Sequence, residues 1–512
     1  MRSRGASRAG AETSTEASYD VVVVGSGAGG AVIASELSER GLRVLVIERG
    51  PWVEPDDISH DELAMIATLY RDGGAQTNTD ADMFVLQGSC VGGSTVLTNA
   101  VCFRMPEEVR LRFESYGWRL SSEDMARCSQ YVETAMSVAP LDERLHNAAA
   151  QRMHAGMQKL GLEIGRFDKA FDRCIGCGYC NVGCAFGRKR DASTVWIPRA
   201  LAAGCRVLPR TEALRLQHRA GHVEALLCRD LETGRHFKVS AKRYVLAAGA
   251  LHTPELLLRS GLGGRNVGKR TSFNAGAIAF AEYEEELDAF DGDQMCVHYF
   301  GEGYVIEQIH NPPMSFALTM PGWFDEHHAA MQRYRKRTAA GVLVPTQAVG
   351  RVFRGLGSKL LTRWFDHPNL AFRLPEEDVA AFRRGFKMLA RVFLASGAKL
   401  VIPPLATFTE LRSEDELYFI DERLQEQRDL VGFGSSHPQG GACMGDDPSR
   451  DVVAPNYRVY DADCVHVVDA SLFPESVRVN PMISIMAVAK HAAESIAALV
   501  EASPSSEAVT TC

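Results

Sequence analysis

The sequence lacks the apolar segments and charge runs that are typical of membrane and nucleic-acid proteins. No uninterrupted apolar run reaches the ~20 residues that a bilayer-spanning helix needs, and residues 1–18 contain no apolar stretch resembling a signal-peptide core. The longest basic run is Arg188-Lys189-Arg190, and 56 basic against 64 acidic residues give a net charge of −8. We therefore expect no membrane and no nucleic acid as partners, and a cytoplasmic location.

Repeats and an export signal are missing as well. The absence of internal repeats and low-complexity core segments argues against a repeat architecture. The 512 residues exceed the length at which one hydrophobic core stops growing, so we expect a large mixed domain with a second lobe. Thirteen cysteines without an export signal indicate free thiols or a metal site rather than a disulfide framework.

The segment after residue 18 predicts a strand, a glycine turn, a helix and a second strand. The valines at 21–24 form an apolar run without alternation, which is typical of a strand buried on both faces of a parallel sheet. The helical pattern covers 31–40 and the second strand covers 44–47. This order is that of a βαβ unit.

The glycine turn at 25–30 has the spacing of a dinucleotide-binding loop. Gly25 permits the tight turn, Gly27 lets the backbone approach a pyrophosphate, and Gly30 permits close packing of the helix on the strand. Glu48 ends the second strand, where a carboxylate accepts hydrogen bonds from an adenosine ribose. The loop predicts a dinucleotide site, although it does not by itself separate NAD from FAD or from a purely structural turn.

Three later segments resemble the glucose-methanol-choline (GMC) oxidoreductases. Residues 249–263 resemble the second signature of that family over its whole length. Residues 436–441, followed by 467–474 and 480–482, resemble its catalytic and flavin-binding end. The resemblance covers most of the chain in the right order and is thinnest in residues 273–434, the segment that we assign below to a substrate lobe. It implies that the cofactor is FAD.

The first signature of the family is matched less closely, at residues 88–99. The asparagine that is usual in the family falls on Thr98, and an amide side chain comes one position later at Asn99. The resemblance implies that Gly92 and Gly93 contact the cofactor, and it makes Asn99 a candidate flavin contact.

The strand pattern and the resemblance predict an α/β fold, in which an inserted α+β substrate lobe of antiparallel sheet and helices joins an FAD-binding, Rossmann-like, doubly wound domain. Apolar strands at 244–248 and 465–468 are expected to return to the first sheet, and a helical pattern at 377–394 belongs to the lobe. The predicted boundaries are a disordered tail at 1–18, the FAD-binding domain at 19–272 with a cysteine-rich loop at 174–190, the substrate lobe at 273–434, the return of the FAD-binding domain at 435–500, and a tail at 501–512.

His437 and Asn480 are the candidate catalytic residues. An alcohol carbon gives up hydride readily only when its hydroxyl proton is leaving, so a base must reach that oxygen while the carbon faces flavin N5. Imidazole titrates near neutral pH, which makes His437 a suitable base, and the Asn480 amide is able to donate to the same oxygen. The pair resembles the His/Asn arrangement of the family. On the residues alone, a structural histidine and an Asn-Pro turn are the alternatives.

The same region carries candidate cofactor contacts. Asp469 and Ala470, at the end of a strand, are expected to bind the ribityl and pyrophosphate groups. A helix that opens near Pro481 and Met482 is expected to point its N-terminus at the N1/C2 edge of the flavin, where negative charge gathers on reduction. The alternative is a strand end and a helix start with nothing bound.

A cluster of cysteines has the C-x2-C-x2-C-x3-C spacing of bacterial ferredoxin ligands. Its members are Cys174, Cys177, Cys180 and Cys184. An iron–sulfur cluster is one interpretation, but Ala185 stands where ferredoxins usually have proline, and no second run shares the ligands. Four packed thiols or a zinc site are the alternatives. A cluster would relay electrons from the reduced flavin and make oxygen the less favoured acceptor.

These features predict an FAD-dependent oxidase or dehydrogenase that converts a small-molecule alcohol to an aldehyde or ketone. The electron acceptor is either oxygen or another, unidentified molecule. A non-redox lyase of the same family and an electron-transfer flavoprotein subunit are the alternatives. The short lobe and acidic composition suit a small or sugar-like alcohol. In size and cysteine content the chain resembles bacterial family members that oxidise the primary alcohol of an aminoglycoside intermediate.

Overall fold

The computed structural model describes residues 19–354 and 368–501, so the tails predicted at 1–18 and beyond residue 501 lie outside the described residues. The strands are β1 Tyr19–Val24, β2 Val44–Ile47, β3 Phe84–Val85, β4 Val101–Cys102, β5 Val138–Pro140, β6 Gly165–Arg166, β7 Asp168–Ala170, β8 Arg206–Leu208, β9 Thr211–Arg219, β10 His222–Asp230, β11 His236–Val239, β12 Ala241–Leu246, β13 Lys269–Glu282, β14 Val297–Gly301, β15 Tyr304–Ile309, β16 Arg337–Pro345, β17 Gly350–Phe353, β18 Asn369–Ala371, β19 Leu400–Ile402, β20 Gly434–Ser435, β21 Pro438–Gln439 and β22 Val465–Val467. The α-helices are α1 Ala28–Glu39, α2 Glu62–Leu69, α3 Glu107–Glu114, α4 Ser122–Ala135, α5 Ala148–Lys159, α6 Trp196–Ala202, α7 His252–Ser260, α8 Pro313–Thr319, α9 Phe324–Gln332, α10 Glu376–Ala395, α11 Tyr418–Arg423 and α12 Met482–Glu501.

A five-stranded parallel sheet forms the centre of the first domain, with the order β22-β12-β1-β2-β8. The valines at 21–24 are at most 5% exposed, and helix α1 packs against β1 and β2 of this sheet. Strands β12 and β22 reach the sheet from late in the chain, which confirms the predicted Rossmann-like fold. Helix α1 begins at Ala28, three residues before the predicted start, because Gly27 is its N-cap.

A second, mainly antiparallel sheet builds the lobe. It has 11 strands, and its main path runs β18-β17-β13-β16-β15-β14-β6. The longest strand, β13, starts at Lys269 and therefore precedes the boundary predicted at residue 273. Helix α10 packs against β16 and α5, and the helix predicted at 377–394 lies within it. A separate hydrophobic core lies between this sheet and these helices.

The C-terminal helix α12 is long and apolar enough, by length and composition, to cross a membrane, and it is the one helix of the described residues that meets those criteria. More than half of it is buried, and it packs against α1 and α4 in the first domain. Lys490 of this helix donates to Glu36 of α1 over 2.6 Å. These contacts are those of a core helix.

Candidate functional site

One cavity of about 660 Å³ lies between the parallel sheet and the lobe sheet, and it gathers most of the residues that the sequence singles out. The predicted residues that line it are Gly25, Gly27, Glu48, Gly93, Asn99, His437, Asp469, Ala470, Asn480, Pro481 and Met482. Gly30 and Gly92 lie behind this lining. Residues far apart in the chain thus meet at one site, which lies at the carboxyl ends of the parallel strands.

The glycines of the first loop serve different purposes. Gly25 has a φ of +97°, and a Cβ there would lie 2.3 Å from the carbonyl oxygen of Ala247. A Cβ on Gly30 would lie 2.0 Å from the carbonyl oxygen of Gly25. By contrast, a Cβ on Gly27 would meet its nearest protein atom, the Cα of Gly93, at 3.9 Å. The fold requires glycine at 25 and 30, whereas at 27 glycine leaves room in the cavity beside the N-terminus of α1.

Glu48 holds three loops together while it faces the cavity. Its carboxylate accepts hydrogen bonds from the Ser26 backbone N–H at 3.0 Å, the Ser26 hydroxyl at 2.6 Å and the Gly50 N–H at 2.8 Å. The Ser26 hydroxyl in turn accepts from the Gly92 N–H at 3.0 Å. Burial raises the pKa of Glu48, and these hydrogen bonds oppose that rise. Oε2 accepts both hydrogen bonds from Ser26, whereas Oε1 accepts only the one from Gly50, so acceptor capacity for a ribose remains on Oε1.

Two buried lysines fix the backbone beside Asn99. Lys189 donates to the carbonyl oxygens of Val96 at 2.6 Å and Thr98 at 2.8 Å, and Lys169 donates to that of Asn99 at 2.8 Å. The Oδ1 atom of Asn99 is buried without a hydrogen-bond partner. A buried polar atom of this kind indicates a missing partner, so the displaced amide at Asn99 is placed to contact a bound cofactor.

The Asp469 carboxylate is hydrogen-bonded to neighbouring segments of the protein. Its carboxylate accepts from the Gly249 N–H at 2.8 Å, the Thr253 hydroxyl at 2.6 Å and the Ser471 N–H at 2.8 Å. The side chain therefore anchors the turn before α7 to the end of β22. Asp469 and Ala470 line the cavity, so their backbone groups remain to contact a cofactor there.

His437 lies where the lobe sheet meets the first domain, just before β21. Its backbone N–H donates to the Ser435 hydroxyl at 3.0 Å, and its Nδ1 atom is buried without a hydrogen-bond partner. Burial lowers the pKa of His437 to about 4, and a hydrogen bond with the backbone of Asn274 opposes this in part. At neutral pH the imidazole is therefore uncharged and able to accept a proton.

Asn480 lines the same cavity immediately before Pro481 and the start of α12. Its Oδ1 atom is also buried without a partner, while its side-chain amide hydrogen-bonds to Glu307. Because α12 begins at Met482, the free N–H groups of its first turn and its positive dipole end adjoin the cavity.

Glu307 is a site residue that the sequence analysis missed. It lies in β15, it is 4% exposed, and it lines the cavity. Burial raises the pKa of Glu307 to about 7. The available signal was a single acid within the strand Tyr304–Ile309, whose neighbours are mostly apolar. Ser26 and Gly29 were missed in the same way; a Cβ on Gly29 would lie 2.0 Å from the carbonyl oxygen of Val468.

The four clustered cysteines line one small cavity, which shares no lining residue with the main one. Cys174 Sγ accepts from the Gly176 N–H at 3.4 Å, and Cys184 Sγ accepts from the Arg188 N–H at 3.3 Å. Every cysteine between residues 19 and 501 is a free thiol. No three His, Cys, Asp or Glu side chains converge as a metal-ion site within the described ranges. The sulfurs therefore do not form the closed set that a zinc ion requires.

Comparison with known proteins matches the geometry of the fold and site. The GMC oxidoreductase family models match residues 66–274 for the N-terminal part and 362–489 for the C-terminal part. An NAD(P)-binding Rossmann-like domain model matches residues 23–53. These matches and the cavity define the chain as an oxidoreductase with a Rossmann-like nucleotide-binding domain.

Relatives along the whole chain agree with this class. An uncharacterized GMC-type oxidoreductase of Mycobacterium tuberculosis is 30% identical over 490 residues, which cover 94% of this chain and 76% of the relative. A long-chain-alcohol oxidase of Arabidopsis thaliana is 26% identical, covering 92% of this chain and 66% of the relative. A 6'''-hydroxyparomomycin C oxidase of Streptomyces lividus is also 26% identical, covering 94% of this chain and 91% of the relative. The chain belongs to the GMC oxidoreductase family, whose enzymes act on CH–OH groups.

A solved structure has the same fold. Pyridoxine 4-oxidase from Mesorbium loti superposes with a TM-score of 0.69 at 19% sequence identity, covering 93% of this chain and 98% of that one. The likeness supports the arrangement of the parallel sheet and the lobe.

Proposed function

We propose that this protein uses FAD to oxidise an alcohol to an aldehyde or ketone, with His437 as the base that takes the hydroxyl proton. The observation that carries the proposal is that His437 and Asn480 line one cavity and each keep a buried polar atom, Nδ1 and Oδ1, without a hydrogen-bond partner, while Gly27 and Glu48, which are predicted to bind a dinucleotide, line the same cavity. Buried polar atoms of this kind are normally satisfied, so a ligand is expected to supply their partners.

The residues present fit FAD. Gly27 leaves space beside the N-terminus of α1 for a pyrophosphate, and Glu48 retains acceptor capacity for the adenosine ribose. Asn99 offers a free amide oxygen, and α12 begins at the other end of the cavity. When bound, FAD supplies the two-electron acceptor for the hydride that leaves the carbinol carbon.

The chain itself then provides proton transfer and orientation. The uncharged His437 imidazole accepts the hydroxyl proton as the C–H bond breaks. The Asn480 amide donates a hydrogen bond to the substrate oxygen and stabilises its developing negative charge. Both residues are half-buried at the cavity, where a bound substrate excludes water and so strengthens these interactions.

A small or sugar-like primary alcohol is the substrate class that we propose. The support is the relative that is named a 6'''-hydroxyparomomycin C oxidase, which matches this chain over nearly its full length. Because the long-chain-alcohol oxidases of Arabidopsis thaliana are also relatives, a longer aliphatic alcohol is the second substrate class that we propose.

The proposal is tested by adding a panel of alcohols to the purified flavoprotein without oxygen and recording the flavin absorbance. The panel comprises short, long-chain and amino-sugar alcohols. Bleaching by at least one class is expected. A flavin that no alcohol bleaches would contradict the proposal and favour the non-redox lyase that shares the same acid–base histidine.

The pH dependence of this reaction follows from His437. We expect the rate of bleaching by a limiting neutral alcohol to fall only as the pH drops through about 4, because burial places the pKa of the base there. Above that value the imidazole is uncharged and ready to accept a proton. The measurement is a pH profile from about pH 3 to 9 with flavin retention checked at each point. A decline centred on the ordinary histidine pKa, near 6.5, would contradict the expectation.

As a second candidate, we propose that the electron acceptor is an iron–sulfur cluster at the four cysteines, which would have to draw together sulfurs that do not converge as a metal site among the described residues. Two observations favour it. Amide N–H groups already point at two of the sulfurs, and the buried cations Lys169 and Lys189 lie close to Cys180 and would balance the negative charge of a thiolate-bound cluster. Lys189 also donates to both the Cys180 and the Thr98 carbonyls, so the cysteine loop contacts the loop that holds Asn99.

Iron and acid-labile sulfide analysis, with an electron paramagnetic resonance spectrum of the reduced protein, tests this candidate. We expect about three or four irons per chain in protein prepared without oxygen, and their loss in Cys180→Ser. The matched control is Cys205→Ser, which removes another buried thiol outside the run. Protein that contains flavin but no iron under these conditions would leave oxygen as the favoured acceptor.

A further inference from the structure

Among the described residues, five carboxylates line the main cavity, of which four either accept three hydrogen bonds from the protein or pair with a cation, and the fifth does neither. They are Glu48, Glu212, Glu255, Glu307 and Asp469. Glu48 and Asp469 each accept three hydrogen bonds from neighbouring loops. Two others pair with cations: Glu212 with Arg49, and Glu255 with Arg259 at 2.6 Å.

Glu307 has no such partner among the described residues. Its side chain contacts the Asn480 amide, and the nearest positive charge that influences it belongs to Lys169. That lysine is already bound to Asp293 at 2.7 Å and to the Asn99 carbonyl at 2.8 Å. The arginines that line the cavity, Arg49, Arg71 and Arg259, are grouped around Glu212 and Glu255 instead.

The surroundings of Glu307 do not explain a buried acid. The cavity wall next to it in β13, β15 and β16 is formed by Gly276, Ile278, Ile309, Gly341 and Leu343, none of which carries a charge. A buried carboxylate is costly unless it is paired. The substrate end of the cavity therefore has a negative site that a cation would complete.

We propose that Glu307 binds the ammonium group of an amino-alcohol substrate. The inference rests on the proposed oxidation of an alcohol at His437 and names the substrate class of that site. The ammonium donates to the Glu307 carboxylate while the hydroxyl group lies between His437 and Asn480.

The hydrogen bonds of Asn480 set the spacing between the two substrate groups. Its Nδ2 atom carries two hydrogens, and the amide opposes the rise that burial causes in the pKa of Glu307, as a donor to that carboxylate does, so one hydrogen is assigned to Glu307. If the other is donated to the substrate hydroxyl at ~2.9 Å, the two acceptor oxygens lie roughly 5 Å apart. An amino group bound to Glu307 is then close to the reacting carbon, so amino alcohols with the two groups separated by two or three carbons fit best.

The titratable groups around Glu307 leave its charge available for this role. His298 lies opposite it in the neighbouring strand β14, and burial lowers the pKa of His298 to about 4, so that histidine is uncharged at neutral pH. Across the cavity, His437 is uncharged as well. Burial raises the pKa of Glu307 to about 7, so its affinity for an ammonium ion rises as the pH increases through that value.

The test compares 3-amino-1-propanol with 1-butanol, in which a methyl group replaces the ammonium group. We expect the native holoenzyme to be bleached by the amino alcohol with a rate constant at limiting substrate at least roughly 30-fold higher, the effect of one well-paired buried charge. In Glu307→Gln this ratio should fall to about one, and in Glu307→Asp it should be partly retained. Glutamine keeps an acceptor for Asn480, and the ratio within each variant cancels a general change in activity.

Asp378→Asn is the matched control. Asp378 is another buried acid of the lobe, in α10, and it accepts from the Gln347 N–H at 3.0 Å outside the cavity. This variant should keep the native ratio. A native ratio near one, or a ratio that Glu307→Gln leaves intact, would overturn the proposal while the oxidation of neutral alcohols stands.

A binding measurement separates this inference from the proposed function. 1-Aminobutane has no hydroxyl group, and its binding is followed by the change that it causes in the absorbance of the oxidised flavin. We expect Glu307→Gln to weaken this binding at least tenfold, whether or not any alcohol bleaches the flavin. Equal binding by the native protein and the variant would overturn the role of Glu307 even if alcohols are oxidised.

Discussion

The variant His437→Ala should bleach with an alcohol about 10²–10⁴-fold more slowly than the native protein, the usual contribution of a general base. The reason is that the other histidine that lines the cavity among the described residues, His252, is paired with Glu255 at 3.3 Å. The flavin should remain bound, because the cofactor residues Gly27 and Glu48 lie at the other end. Anaerobic stopped-flow absorbance gives the bleaching rate, and the flavin spectrum gives the cofactor content.

His310→Gln is the control for this variant. Burial lowers the pKa of His310 to about 4, just as it lowers that of His437, but His310 binds the Tyr334 hydroxyl at 2.8 Å and does not line the main cavity. The His310→Gln protein should therefore bleach at a rate within a few-fold of the native rate. Bleaching of His437→Ala at the native rate would show that His437 is not the base that takes the hydroxyl proton.

Gly27→Val should yield folded protein that has lost most of its FAD. A Cβ at Gly27 would meet its nearest protein atom at 3.9 Å, so we expect the fold to tolerate the substitution, but the side chain occupies the space beside α1 that a pyrophosphate needs. Overpacking of this kind typically costs ~1–3 kcal/mol, so the affinity for FAD should fall by about 10- to 100-fold. Flavin absorbance after gel filtration and circular dichroism measure the two effects separately.

Substitutions at two other glycines serve as controls for Gly27→Val. Gly25→Val should fail to fold, because a Cβ there would lie 2.3 Å from the carbonyl oxygen of Ala247 at a φ of +97°. Gly41→Ala, in the turn after α1, has no atom within 4 Å of the new Cβ and should retain FAD with only a modest loss of stability. A Gly27→Val protein with a full complement of flavin would show that the loop does not hold the pyrophosphate.

The sequence was most informative where local pattern and spacing determine structure. The unbroken valines at 21–24 predicted a central parallel strand, and β1 is that strand. The GMC resemblance brought His437 and Asn480 to one site, and both line one cavity. Pattern also predicted the helix that is α10, although its ends differ by one residue at each side because helix ends depend on capping contacts.

Features that depend on partners distant in the chain were beyond the sequence. Asp469 was expected to bind the ribityl and pyrophosphate groups, and the sequence did not show that its carboxylate accepts hydrogen bonds from Gly249 and Thr253. Glu307 gave only a weak signal in its strand, because its role depends on the charges that surround it in the folded protein. The cysteine spacing did not show whether the sulfurs converge, since loop conformation decides that. The iron–sulfur cluster, the substrate and the cytoplasmic location stay predictions.

The central claim is that the protein takes a hydride from the carbinol carbon of an alcohol. The most direct measurement compares the anaerobic bleaching of the flavin by an oxidisable alcohol with that by the same alcohol carrying deuterium at the carbinol carbon. Both alcohols should bleach the flavin, and the deuterated alcohol should do so more slowly, because its C–D bond breaks in the step that His437 assists. A flavin that stays oxidised with every alcohol, in protein that retains its cofactor, would contradict it.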